Sequence, residues 1–210
     1  MDLMDAIKNR RSIRKFADIP IPMGMIGPLL EAGRAAPSAG NLQTSKFILV
    51  TEEGQRKEVA DACLQQFWIS TAPVIIVVAA EIEKNKEYYG SRGESLYAIQ
   101  NAACAAQNIL LSAHATGLSS CFVSAFEEEM LSRILGLPDG AKPQSVLPIG
   151  YADEKPPAPP RYNLEIQTFF GKYGRRTIDM NWVLGHYSVY VEDALKKGKD
   201  FVEEMAKKLQ

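Results

Sequence analysis

The sequence predicts a mixed fold of helices and strands, and three observations point to it. VIIVVAA (74–80) is a short, unbroken apolar run rich in β-branched residues, which suits a buried strand. Residues 95–116, SLYAIQNAACAAQNILLSAHAT, contain no Asp, Glu, Lys or Arg, as expected of a central helix enclosed on most sides. Around these two, shorter segments alternate between helix and strand character. A chain of 210 residues, 46% of them hydrophobic, can bury one sizeable core or form one domain with an appendage.

The elements follow in order. Asp2 is a candidate N-cap for a helix from residue 3 to about 10, with Leu3, Ala6 and Ile7 at helical spacing. SIRKF (12–16) then reads as extended, with Ile13 and Lys15 on one side and Ser12, Arg14 and Phe16 on the other. IPIP (19–22) breaks regular structure, and a helix follows from about Met23 to Ala35 until PSAGN ends it. KFILV (46–50) reads as strand and residues 53–67 as an amphipathic helix. After the strand at 74–80 and the apolar helix, Gly117 is a natural stop. SSCFVSAF reads as strand, EEEMLSRILG as a helix with acids in its first turn, and QSVLPIGYA as strand. DEKPPAPPR carries four prolines before Arg161 and should run extended over the surface. Near the C-terminus, residues 192–210 space Leu195, Val202, Met205 and Leu209 as an amphipathic helix whose apolar face needs a partner.

Composition excludes several classes. With 24 basic and 25 acidic residues there is no global field to hold a nucleic-acid backbone, so anion binding must be local. The start MDLMDAIKNR has no apolar signal-peptide core, and VIIVVAA is far too short to span a bilayer. Cys63, Cys104 and Cys121 are scattered without CxxC spacing and only two histidines are present, so no metal cluster is expected. A cytoplasmic location is the expectation.

Three pieces carry candidate chemistry. RRSIRKF (10–16) concentrates Arg10, Arg11, Arg14 and Lys15, and arginine's planar fork grips a phosphate bidentately. Each such bond contributes roughly 1.5–3 kcal/mol. Taken alone, the ordinary reading is cations complementing a helix C-terminus. APSAGNLQ (36–43) is a small-residue loop whose backbone can approach a flat ligand, with Ser38 and Asn41 as polar groups beside it. GLSSCFVSAF (117–126) could aim backbone N–H groups into a crevice. None of these matches a Walker A sequence or the GxGxxG fingerprint.

Taken in order and spacing, RRSIRKF, APSAGNLQ, AAQNILLSAHATGLSSC and LPIGYADEKPPAPPR resemble the nitroreductase family of FMN enzymes, over roughly residues 3–165. The resemblance implies an α+β fold, a mostly antiparallel sheet flanked by helices in an intertwined homodimer, with FMN held between subunits. It implies that Arg10, Arg11, Ser12 and Arg14 hold the FMN phosphate, ribityl chain and pyrimidine edge. Pro37, Ser38 and Asn41 would approach the ring from the other subunit, and backbone at Leu118, Ser119 and Ser120 would lie along the flavin. Arg161 would add a phosphate contact, with Arg175 or Arg176 as alternatives for that role. The implied activity is ping-pong hydride transfer from NADH or NADPH to nitroaromatics, quinones or another electron-poor small molecule. A non-catalytic flavin-handling protein, a related chemistry such as reductive dehalogenation, and a plain anion-binding scaffold are the alternatives.

Residues 1–170 would form the FMN-binding domain and 171–210 an extension packing on the core or the partner. Thr44, Ser45, Asn101 and the GLSSCF run depart from the family pattern. His114 reads as structural, and Tyr88, Tyr89 and Arg92 as a candidate substrate lid.

Overall fold

A computed structural model describes residues 1–175. Asp2 accepts a hydrogen bond from the Met4 N–H and caps α1 (Leu3–Asn9). A 3-10 turn at Met23–Met25 leads into α2 (Ile26–Arg34), whose Pro28 sits in the first turn, where its missing N–H costs little. Next come β1 (Ser45–Val50), α3 (Glu53–Ala62), β2 (Val74–Glu81) and α4 (Ile82–Arg92). A π-helical turn at Gly93–Tyr97 joins α4 to the long α5 (Ala98–Ala115). After it stand β3 (Ser119–Ser120), α6 (Glu128–Leu135), β4 (Ala141–Gly150) and the short α7 (Leu164–Gln167).

The four strands form one antiparallel sheet in the order β1-β2-β4-β3. Strand β2 is central, and its side chains feed two cores. Val74, Ile76, Val78 and Ala80 meet Leu29 of α2 and Ala102, Ala106, Ile109 and Leu110 of α5 on one face. Ile75 and Val77 meet Val59 of α3 and Leu131 of α6 on the other. Burial on both faces is why this strand reads as a continuous apolar run rather than an alternating one.

Four segments differ from the sequence expectation. Ile13 and Phe16 are both buried and pack together with Ala72, so SIRKF does not alternate. Two isolated β-bridges, Ser12 to Ser120 and Phe16 to Ala152, join its backbone to its neighbours, and the backbone between them is not a regular strand. The helix expected to reach residue 67 ends at Ala62, because Leu64 and Gln65 take positive φ of 56° and 58°. SSCFVSAF forms only the two-residue β3. Its register would next pair Cys121 with Pro148, which has no N–H to donate, and pairing resumes only as a single bridge between Val123 and Val146. The register shift between β2 and β4 falls beside Pro143. Finally, α4 is a helix the apolar pattern did not announce; only Ile82 and Asn85 of it are buried.

The chain divides into two units, Met1–Ala158 and Pro159–Gln210. In the second unit the structure describes α7 and a turn in which the rings of Phe169 and Tyr173 lie 4.6 Å apart. The amphipathic helix expected at 192–210 lies outside the described residues. Among the described residues, no helix is long and apolar enough to cross a membrane.

Candidate functional site

The basic cluster leaves α1 where its last turn meets the end of α5 and the start of β3. There a cavity of about 360 Å³ is lined by Asn9, Arg10, Arg11, Ile13, His114, Ser119 and Ser120. The segment after β4 closes its other side with Ala152, Glu154, Lys155 and Pro156. The geometry has local causes. Ile13 N donates to Ser120 O at 3.0 Å, which pins the cluster to β3. Gly117, at φ 86°, ends α5 so that its N–H returns to His114 O and Leu118 N–H to Ala113 O. His114 therefore sits in the last turn of α5, facing the cluster.

The three arginines have different duties. The Arg11 guanidinium donates to Lys8 O at 2.7 Å and Arg10 O at 2.9 Å, so it caps the end of α1 as well as lining the cavity. Arg10 lines the cavity. Arg14 does not line it; its guanidinium stands 6.0 Å from the centre of the Trp68 ring. Glu154 accepts hydrogen bonds from the backbone N–H groups of Arg14 and Lys15, so the one carboxylate lining the cavity is already engaged.

Two polar side-chain atoms of the cavity, on Ser120 and His114, have no partner among the described residues. Ser120 is 1% exposed and its Oγ makes no hydrogen bond; His114 Nε2 is buried and makes none either. Unpaired buried polar atoms are costly, so their presence beside cations marks a place prepared for an acceptor. Burial, then the charges of Arg10 and Arg11, hold the His114 imidazole below its ordinary pKa. A phosphate monoester supplies several acceptor oxygens and negative charge, so these residues fit the phosphate tail of FMN.

The small-residue loop lies elsewhere in the protomer. Gly40, Asn41 and Gln43 take positive φ of 55°, 56° and 51°, and the loop is locked by Ser38 Oγ accepting from Gln43 N at 3.0 Å. The Tyr89 hydroxyl occupies the space a side chain at position 40 would need. Asn101 Oδ1 accepts from Ala39 N at 3.0 Å and anchors the loop to α5. Pro37 and Ser38 line a groove of about 110 Å³ with Gly33, Gln43, Phe47 and Asn101. That groove shares no residue with the cationic cavity, and Asn41 lines neither.

Of the remaining candidates, Ser12 bridges to Ser120 without lining the cavity, and the Leu118 side chain is buried in the core. Arg161 is an exposed residue of the second unit, as is Arg175, whose carbonyl accepts from Phe170 N; Arg176 lies outside the described residues. Tyr88, Tyr89 and Arg92 all lie on α4, where Arg92 Nε donates to the Tyr97 hydroxyl at 3.0 Å. Sequence reasoning missed Lys155 and Glu154 as lining residues and set His114 aside. Lys155 was visible as the one cation before the proline run, but nothing local said which way it would face.

Comparison with known proteins identifies the family and the fold. The model of the Nitroreductase family matches residues 7–72 and 64–151. A Methanothermobacter thermautotrophicus protein named for NADH dehydrogenase/NAD(P)H nitroreductase activity is 32% identical over 74% of this chain and 80% of its own. A crystal structure of a Parabacteroides distasonis protein with the same naming superposes with a TM-score of 0.73 at 27% identity, covering 81% of this chain and 98% of that one. An FMN-dependent nitroreductase from Clostridium difficile superposes with a TM-score of 0.70 at 27% identity, over 81% of this chain and 99% of its own.

Proposed function

Because the chain belongs to the nitroreductase family, we propose that it is an FMN-dependent oxidoreductase that takes hydride from NADH or NADPH. Its acceptors would be nitroaromatics, quinones or similar electron-poor small molecules. The observation that carries this reading is the cationic cavity: Arg10, Arg11 and Lys155 converge on it with the unpartnered Ser120 hydroxyl. These are the groups that would hold the phosphate of FMN.

FMN, when bound, supplies the capacity to accept a hydride and pass it on. The chain's own residues would fix the tail, keep the ring in place and hold positive charge near its pyrimidine edge. Arg14 and the backbone along Ser119 and Ser120 are the candidates for the ring. No acid–base pair is asked of the side chains, so donor and acceptor can take turns in one pocket.

A homodimer fits this reading. In α1 only Ala6 is buried, while Leu3, Met4 and Ile7 are exposed, and Ile99 of α5 is exposed too. The loop holding Pro37, Ser38 and Asn41 stands apart from the cationic cavity within one protomer, as it would if each site drew that loop from a second copy.

The test is the visible spectrum. Purified protein is expected to be yellow, and NADH or NADPH to bleach it anaerobically, with colour returning on addition of a quinone or nitroaromatic. Colourless protein that takes up no added FMN overturns the proposal.

A further inference from the structure

We propose that His114 is the proton-accepting member of the phosphate site, uncharged in cofactor-free protein and converted to imidazolium when a phosphate dianion enters. Cofactor capture would then take up a proton from solvent. The inference rests on the reading that this cavity receives the FMN phosphate, and it assigns a role that sequence reasoning had denied this residue.

The geometry supports it in three ways. His114 lines the cavity from the last turn of α5, and its Nε2 is buried with no hydrogen-bond partner among the described residues. The Ser120 hydroxyl lines the same cavity, unpartnered and 1% exposed, so two polar groups from consecutive elements await an acceptor there. The charged groups facing the cavity are Arg10 and Arg11 from the end of α1, and Lys155 and Glu154 from the segment after β4. Glu154 is engaged by the Arg14 and Lys15 backbone amides, so the cations set the local field.

That field explains the direction. Without an anion, burial, then Arg10 and Arg11, disfavour the imidazolium and hold the His114 pKa below its ordinary value. A dianion among the same groups reverses the balance, because it offsets both arginine charges and offers an oxygen to an N–H donor. A neutral imidazole with a low pKa in the free protein and a higher one in the complex binds one proton as the ligand binds. The sign follows from linkage: FMN affinity owed to His114 is fully present below the free-protein pKa and is lost as pH rises through the pKa of the complex.

The experiment is calorimetric titration of the FMN-depleted full chain with FMN, in two buffers of different ionisation enthalpy at pH 7.5. At this pH the phosphate of FMN is already dianionic, so it contributes little to the proton count. Wild type is expected to take up protons on binding FMN, and His114→Gln to take up none. The affinity advantage of wild type over H114Q should grow roughly tenfold from pH 8.5 to pH 6, the size of one charge-assisted hydrogen bond. Riboflavin, which lacks the phosphate, should show no difference in proton uptake between the two proteins.

Equal proton uptake by wild type and H114Q, with FMN bound far more tightly than riboflavin, overturns the role of His114 and leaves the cavity reading standing. Failure of wild type to prefer FMN over riboflavin overturns both. Should H114Q not accumulate, the His114 imidazole is followed by NMR in wild type. Its titration midpoint should rise on FMN binding, and an unchanged or lowered midpoint overturns the assignment.

Discussion

The Asn101 amide donates to the Thr44 hydroxyl at 3.3 Å, joining two residues that each depart from the family pattern on their own. Both are buried, and Asn85 completes the cluster by donating to the same hydroxyl at 2.9 Å and to Glu81 O at 2.8 Å. Asn101 also donates to Asn85 Oδ1 at 3.3 Å while accepting from Ala39 N. One buried network thus ties α4, α5 and the small-residue loop together.

Breaking this network should cost stability without touching the cationic cavity. Asn101→Ala leaves the Ala39 N–H and the Thr44 and Asn85 side chains short of partners, a loss of about 2 kcal/mol. Urea unfolding of N101A, T44A and the double variant measures it. The double variant should lose less than the sum of the single losses, because the two side chains share a bond. Strict additivity would show that the residues act independently.

Two glycines, one at this junction and one on α2, carry opposite predictions. A Cβ on Gly93 would collide with the backbone carbonyl of Asn85, so Gly93→Ala must displace either the π-helical turn or α4. It should lower the midpoint of thermal unfolding. Gly27, exposed in the first turn of α2 with nothing within 4 Å of an added Cβ, should gain roughly 0.5–1 kcal/mol as alanine. Equal effects of the two substitutions would contradict the packing described.

The sequence was most informative where apolar burial sets the pattern. Strand β2 and helix α5 could be read because both are apolar on nearly every side. Helix α4 could not, since it is held by the Asn85 network rather than by an apolar stripe, and polar contacts between distant residues leave no period in the sequence. Ile13 and Phe16 misled for the complementary reason: two isolated bridges do not impose a strand's two-residue repeat. In the site, Arg10, Arg11, Ser119 and Ser120 were legible as candidates and do line one cavity. Arg14, which the resemblance groups with them, does not line that cavity, and its guanidinium stands 6.0 Å from the centre of the Trp68 ring. His114 and Lys155 join through tertiary folding alone, from positions far from the basic run.

That division of the cations can be measured. Lys155→Ala removes a cavity-lining charge, so FMN affinity should fall about tenfold, or 1.4 kcal/mol, while riboflavin affinity holds. Arg14→Ala should weaken FMN and riboflavin alike if Arg14 serves the ring rather than the tail. Fluorescence titration of both ligands on each variant separates the outcomes. A K155A protein with unchanged preference for FMN would remove Lys155 from the phosphate site.

The proposed homodimer is testable through the cysteines. Cys104 of α5 is exposed in the protomer, as is Ile99, whereas Cys63 and Cys121 are buried. Burial pushes the Cys63 thiol up to about 12, and burial also raises Cys121 despite the opposing charge of Arg14 and the Ser12 hydroxyl. Both should therefore resist a thiol reagent at pH 8 until the protein unfolds. If a second copy covers α5 at Ile99 and Cys104, that thiol should resist it as well in wild type. Replacing Ile7 and Ile99, 48% and 51% exposed, by glutamate places charge in the covered face. The I7E/I99E protein should sediment as a monomer, lose FMN and label at Cys104 within minutes, with Cys63 and Cys121 still unmodified as internal controls. Wild type that sediments as a monomer, or that labels at Cys104 as fast as the variant, would place the partner surface elsewhere.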